Sequence, residues 1–441
     1  MAESREASRV GAIVVGGGPA GLFLAARTTA LSPALRDAGI LVLEKMADPG
    51  RKLLASGAGQ CNITHQGQIE EFLRHYGGAG RFLKKSLYAF SNEGLALWLG
   101  ERGIELEAEE GGKLFPASRK ASDVLRALLE ECERMGVSIR TDSRAAAARR
   151  EGEAFVVETV AAGGSSAAYR APLLAIASGG RSYPGTGSSG EGYALAEALG
   201  HSIVPPRPAL APIVMRDKAL CALAGTGFEG LSFAIRRGGK TIGRSSGDVL
   251  ITHEGLSGPG ILDASRGLAP GDILELDFSG LGLEAFRAAL AARVAASPRA
   301  LARTLLAEAC SPAARAPGAG LPKRLASLIC SCAGLAPEAR CSDLRREARD
   351  AMARMAAAFP AEIAALGGFD KAMATAGGVS LDEVDPATME SRFSLGLYFA
   401  GEVLDYDGDT GGFNLQAAFS TADAAARAMA ARISRMESKS H

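Results

Sequence analysis

Two groupings of residues in this 441-residue chain have types and spacings that could do chemistry. The late one places Glu402, Asp405, Asp407 and Asp409 within eight positions, directly behind an apolar run at 397–400. Asp405, Asp407 and Asp409 match positions 1, 3 and 5 of a calcium loop. However, Thr410 stands where that loop needs glycine, and Gln416 where it needs a bidentate glutamate. The pattern fails at both diagnostic places, so no metal is expected there, and the three aspartates read as turn and solvation residues. The early grouping is Gly16-x-Gly18-x-x-Gly21. In this fingerprint the first glycine permits a tight turn, the second lets backbone approach a pyrophosphate, and the third lets a helix pack close to a strand. Pro19 and Ala20 then open a helix whose free N–H groups and dipole suit phosphate oxygens. Glu44, 23 residues past Gly21, stands where a carboxylate accepts bonds from a ribose. A dinucleotide site is expected.

Other reactive side chains carry weaker signals. Cys61 has no second cysteine at CxxC or CxxxxC spacing, which argues against dithiol–disulfide exchange and for a small buried residue in a tight loop. Lys52 and Asn62 could hydrogen-bond a cofactor. Cys310, Cys330, Cys332 and Cys341 lack a local histidine and zinc-type spacing, so buried thiols are the better reading. His253 and Tyr183 are acid/base candidates, with a structural turn role the commoner outcome for the histidine. No Ser-His-Asp arrangement can be assembled from the sequence, and no GxxxxGK[ST] phosphate loop occurs.

These residues need elements to position them. Residues 10–15 form a short apolar, β-prone run, 20–30 read as helix, and 39–44 as a second strand ending on Glu44. The fingerprint thus has its strand–turn–helix context. A pure NAD domain would proceed to its next strand and helix, whereas here a glycine-rich loop at 56–61 follows at once and favours FAD. A second match, Gly185-x-Gly187-x-x-Gly190, lacks that context, because Tyr183-Pro184 separates it from the preceding strand at 173–177. No acid ends a second strand about 20 residues on, so it is not read as a nucleotide site. Late in the chain a strand at 397–400 and a helix at about 415–432 flank the acidic segment.

Six separated blocks carry a family resemblance: VVGGGPAGL, GRKLLASGAGQCNIT, LAIASGGRSYPGTGSSGEGYALAEALGHSIVPPRPALAPI, THEGLSGPGIL, TAGGVSLDEVDPATMES and GLYFAGEVLDYDGDTGGFNLQAAFST. On these the chain resembles the BaiN/YhiN-like flavoproteins of the two-dinucleotide-binding-domain superfamily. The resemblance implies a non-covalent FAD and hydride transfer at flavin N5. It puts Gly401 and Glu402 at the ribityl and pyrophosphate, and Gly411, Gly412 and Asn414 beside the isoalloxazine. It assigns Gly179, Gly180 and the Tyr183-Pro184 loop to the flavin domain. Lys52, Ser56, Gly57, Gly59, Cys61 and Asn62 join the cofactor set. Gln60 departs from the basic residue usual in the family, and Ala422-Asp423 from small glycine-containing sequence. Relatives of this kind reduce conjugated carbonyl compounds or oxidise small amines, so the direction stays open. NADH or NADPH is a candidate electron donor. A tRNA-modifying flavoprotein and a flavin sensor without turnover remain alternatives.

The expected fold is α/β: a Rossmann-like FAD-binding domain interrupted by an antiparallel β-barrel-like domain and a small helical insert. Expected boundaries are 9–200 and 379–436 for the FAD domain, 201–283 and 359–378 for the barrel, and 284–358 for the insert, with substrate held where barrel and insert close over the ring. A β-meander is expected within the first part, including the strands at 137–141 and 154–160. Lys+Arg and Asp+Glu balance at 49 each, which argues against nucleic acid or an anionic membrane as partner, and a small-molecule substrate is expected. Seven irregularly spaced cysteines and the absence of a signal-like apolar stretch point to a cytoplasmic protein.

Overall fold

The computed structural model describes residues 7–109, 111–310 and 320–438. It divides into two compact units, one built from 1–208 with 373–441 and the other from 209–372. Residues 311–319 of the expected helical insert lie outside the described residues.

The first unit is organised by a five-stranded parallel sheet. β1 (Ala12–Val15) runs into α1 (Pro19–Leu31), and β2 (Ile40–Leu43) follows. The short helix α2 (Arg51–Ala55) and the longer α3 (Ala121–Arg134) precede β3 (Ser138–Arg140). An antiparallel meander of β4 (Ser143–Glu151), β5 (Ala154–Ala161) and β6 (Ser166–Ala171) leads to β7 (Leu173–Ile176). Strand β8 (Ile203–Ala209) then leaves the sheet. After the second unit the chain returns through β15 (Ala374–Val379), β16 (Leu397–Phe399) and the 25-residue α8 (Phe413–Glu437). The sheet order is β16-β7-β1-β2-β3.

Every residue of β1, β2 and β7 is buried, as a parallel sheet covered on both faces requires. α1 shows why the fingerprint glycines matter: a Cβ on Gly21 would sit 1.9 Å from the Gly16 carbonyl oxygen. The meander is real but its membership differs from expectation. Ser138–Arg140 pairs in parallel with β2 instead, as the sheet's edge, and β4–β6 form the antiparallel layer, with Ser8–Arg9 added in parallel along β6. A three-residue strand carries too little alternation to reveal its partner.

The second unit is a closed six-stranded antiparallel barrel: β9 (Ile213–Met215), β10 (Gly227–Arg237), β11 (Lys240–Ile251), β12 (Gly255–Ser257), β13 (Ile273–Asp277) and β14 (Phe359–Leu366), in the order β9-β12-β11-β10-β13-β14. Residues 240–251 form one continuous β11, with Thr252 and His253 beyond its end. Between β13 and β14 the described residues form the helices α4 (Leu283–Ala296), α5 (Ala302–Ala309), α6 (Lys323–Cys332) and α7 (Arg346–Ala357). They share an apolar core with the barrel, including Phe278, Phe286, Leu306, Ile329 and Met352. No helix among the described residues is long and apolar enough to cross a membrane.

Candidate functional site

The glycine turn between β1 and α1 has the geometry its sequence calls for. Gly16 takes φ +110, and a Cβ there would strike the Ala177 carbonyl oxygen at 2.5 Å. A Cβ on Gly18, by contrast, would meet nothing within 4 Å. The backbone at the mouth of α1 is therefore open to an approaching group. Pro19 occupies the first helical position, where it lacks an N–H that would be unpaired anyway, and no acidic residue stands in the first turn. The free N–H groups and the positive helix end make an anion site. Glu44 is held in place by backbone: its two carboxylate oxygens accept the Gly17 and Met46 N–H groups, each at 2.8 Å.

Three distant segments converge on Glu402. Lys52 Nζ donates to its Oε2 at 2.6 Å and to the Ser182 hydroxyl at 2.5 Å. The Ser182 hydroxyl and the Thr375 N–H donate to Oε1 at 3.2 and 2.8 Å, and the Gly180 N–H reaches Oε2 at 3.3 Å. Glu402 and Lys52, both expected at the cofactor, thus first bind each other. Gly401, φ +75, donates its N–H to the Thr421 hydroxyl at 3.0 Å, and a Cβ there would lie 3.0 Å from Ala20 Cβ at the start of α1. The two ends of the chain meet at this point. Gly179 also takes a left-handed φ of +73.

The loop ahead of α8 is built by close backbone contact. A Cβ on Gly412, φ +93, would lie 2.5 Å from the Thr64 carbonyl oxygen, and one on Gly411, φ +117, would lie 3.1 Å from the Phe413 ring. In the amide orientation its neighbours favour, Asn62 accepts the Gly412 N–H at 3.2 Å and donates to the Thr64 carbonyl at 3.1 Å. Asn414 spans the Gly408 peptide, accepting its N–H at 2.8 Å and donating to its carbonyl at 2.9 Å. Both side chains fix the loop through local bonds. α8 has no acid in its first turn, so its positive end is uncompensated by its own sequence. Asp409 pairs with His75 at 2.9 Å, whose ring stacks on Phe413 at 3.9 Å. Asp405 is half-buried, and that burial raises its carboxyl.

The loop 56–61 turns through left-handed residues Gly57 and Ala58, with Gly59 at φ +88. The Ser56 hydroxyl caps the Leu53 carbonyl at 2.7 Å, and the Ser56 carbonyl accepts the Cys61 N–H at 3.0 Å. Cys61 is fully buried, which pushes its thiol up to about 12. A protonated, enclosed thiol is no nucleophile.

Tyr183 lies half-buried in the first unit in a left-handed conformation, φ +54 and ψ 60, rare for a bulky residue. His253 is exposed on a loop of the barrel unit, between β11 and β12. The second glycine pattern folds as a 3-10 turn (Pro184–Thr186) and then an eight-residue helix, not as strand–turn–helix. Cys310 and Cys330 are buried with thiols pushed to about 12 and about 11, whereas Cys332 is exposed. A Ser-His-acid line does exist: His201 Nε2 lies 2.9 Å from the Ser391 hydroxyl, and Nδ1 lies 3.1 Å from Glu383 Oε2 in poor hydrogen-bond alignment. His201 lies 182 and 190 positions before Glu383 and Ser391, so spacing could not reveal the grouping. Ser391 is 2% exposed and accepts the Ser394 N–H, which makes this a structural cluster.

Sequence reasoning missed Ser182, Thr375 and Thr421, which anchor Glu402 and Gly401. Thr375 stood inside a block that carried the resemblance, yet nothing local marked its role. The cradle fits a dinucleotide: Gly18 leaves open space at a helix N-terminus, and the buried Ser178 hydroxyl at the end of β7 makes no hydrogen bond within the described protein.

Known proteins match this arrangement. The family model described as HI0933-like protein Rossmann domain covers residues 10–428. A 3-dehydro-bile acid delta(4,6)-reductase of Clostridium scindens is 30% identical over 433 residues, spanning 96% of this chain and all of that one. A ribosomal RNA dihydrouridine synthase of Haemophilus influenzae is 30% identical, spanning 94% of this chain and 97% of its own. In fold the chain resembles a flavocytochrome c3 fumarate reductase, with TM-score 0.51 and 15% identity over 96% of this chain and 78% of that one. It also resembles a 3-ketosteroid-delta4-(5alpha)-dehydrogenase of Rhodococcus jostii RHA1, with TM-score 0.50 and 16% identity over 97% and 98%.

Proposed function

Because the chain belongs to the HI0933-like protein Rossmann-domain family of FAD-dependent oxidoreductases, we propose that it reduces a carbon–carbon double bond conjugated to a carbonyl, with NADH or NADPH as electron donor. The observation that carries this reading is the meeting of Gly401 with Ala20 beside the open backbone of Gly18. That meeting lets the two ends of one unit hold a single extended cofactor.

Two relatives with very different substrates support the same bond as target. A delta(4,6)-reductase of a 3-oxo steroid acts on double bonds in conjugation with the ketone. Forming dihydrouridine saturates the C5=C6 bond of uracil, conjugated to the C4 carbonyl. Bound FAD would supply the hydride at its N5. The chain's residues would do the remaining work. The N-terminus of α1, with Gly16, Gly18, Pro19, Ala20 and Gly21, would hold the diphosphate. Glu44 would accept from the ribose with lone pairs left free by Gly17 and Met46. Gly411, Gly412 and the positive end of α8 would offset negative charge gained by the ring on reduction. As hydride reaches the β-carbon, a proton must reach the α-carbon, and Tyr183 is our candidate donor.

The test begins with purified protein. Heat-released chromophore should be FAD, and the bound flavin should bleach anaerobically with NADH or NADPH. The bleached protein should then recolour on adding a 4-en-3-one steroid or uridine-containing ribosomal RNA, with the saturated product seen by mass spectrometry. Colourless protein that refuses FAD would end the proposal. Bleaching by small amines but by neither nicotinamide would replace it with an amine oxidase.

A further inference from the structure

Thr375 is fully buried at the head of β15, a strand outside the parallel sheet that pairs with β8. Its hydroxyl oxygen accepts two consecutive N–H groups, from Arg181 at 2.8 Å and from Ser182 at 3.0 Å. The hydroxyl's own proton points to the Ser182 oxygen at 3.4 Å. Its backbone N–H holds Glu402 Oε1 at 2.8 Å. One residue therefore grips two functional segments that lie far apart in sequence.

Two further facts make this grip more than packing. Gly180 has an ordinary φ, yet a Cβ there would lie 2.4 Å from the Thr375 hydroxyl oxygen. The glycine is thus required by the Thr375 side chain, whose Cβ would also lie at 2.7 Å, and not by backbone conformation. Directly after the two gripped N–H groups comes Tyr183 in its left-handed conformation, which costs on the order of 1–3 kcal/mol and persists only where the surroundings over-determine it. Thr375 clamps the chain on one side. On the other, the Thr186 hydroxyl and N–H both donate to the Tyr183 carbonyl, at 2.7 and 2.9 Å.

We infer that Thr375 is a positioning residue of the flavin site: it locks loop 179–183 and orients Glu402, and through Glu402 it orients Lys52. The inference rests on the FAD reading above and adds a residue to it. Replacing the hydroxyl by a methyl leaves two N–H groups without this acceptor, the Ser182 one buried and the Arg181 one partly so, a loss large enough to move the loop. Thr375→Val is nearly isosteric, so it removes the bonds while keeping the volume. Thr375→Ser keeps the hydroxyl.

The experiment compares wild-type protein, Thr375→Val, Thr375→Ser and Gly180→Ala. It reads the FAD dissociation constant on reconstituting apoprotein, the shape of the visible flavin band, the flavin midpoint potential and the apoprotein melting temperature. Thr375→Val should weaken FAD binding by about tenfold or more and alter both band and potential, and Thr375→Ser should restore all three. Gly180→Ala, which pushes on the same hydroxyl, should reproduce the Thr375→Val changes. If Thr375→Val binds FAD as wild type does, with unchanged band and potential, the inference is wrong. It is equally wrong if Thr375→Ser fails to rescue. Wild-type protein that binds no FAD at all would instead sink the underlying functional reading.

Discussion

Lys52 and Glu402 stand 350 positions apart in the chain and meet at 2.6 Å, an ion pair that joins the helix after the first glycine turn to the segment after the last sheet strand. Both side chains are partly buried, and Glu402 additionally accepts two backbone N–H groups and the Ser182 hydroxyl. The two substitutions that break the pair should therefore differ. Lys52→Met leaves a carboxylate without its cation in a partly desolvated site and should cost about 2 kcal/mol of stability after allowance for solvent screening. On the proposal that Glu402 faces the cofactor's pyrophosphate, the substitution should also weaken FAD by adding unpaired negative charge there. Glu402→Gln keeps an acceptor for the N–H groups and frees the Lys52 cation, so FAD affinity should fall less. Urea denaturation and FAD titration of both variants check this. Equal losses in FAD affinity would contradict the expected order.

The fingerprint glycines should separate folding from binding. Gly21→Ala drives a methyl into the Gly16 carbonyl and should destabilise the apoprotein by about 3 kcal/mol. Gly18→Ala puts its methyl into open space, so the apoprotein should melt as wild type does while its flavin content collapses. Melting curves beside flavin-to-protein ratios decide the matter. A Gly18→Ala protein with full flavin would show that no ligand approaches there.

The buried His201 should make the fold acid-sensitive. Desolvation lowers its folded-state pKa below the ordinary 6.5, with Glu383 opposing but not overcoming the effect. The unfolded chain then binds more protons than the folded one as pH falls below about 6.5, so stability drops in that window. Above it the contribution is fully present. Burial pushes the Glu383 carboxyl up, but accepting from Ser202 and facing His201 lower it on balance, so it loses its contribution only in a more acidic window, below the ordinary 4.5. Denaturant midpoints measured across the His201 window should fall for wild type and stay flatter for His201→Phe. Parallel curves would refute the assignment.

Cys61 should be chemically silent. Its thiol is enclosed and held up to about 12, so iodoacetamide at neutral pH should not label it in the folded protein. Cys61→Ala should keep flavin reduction within about twofold, since no thiolate is available to take part. Rapid labelling, or loss of turnover in a variant that still binds FAD, would reopen a thiol mechanism.

What could be read from the sequence was what local physics writes locally. The β1–turn–α1 unit, Glu44 at the end of β2 and the barrel's short strands each follow from apolar period, turn glycines and nearby spacing. Only the tertiary structure decided that Lys52 grips Glu402, that Thr375 requires glycine at 180, that Ser138–Arg140 joins the parallel sheet, and that His201 lies between Ser391 and Glu383. Each of these depends on side chains or strand edges brought together by chain closure over dozens to hundreds of residues. No short window of sequence carries that distance, because hydrogen-bond partners are chosen by position in space.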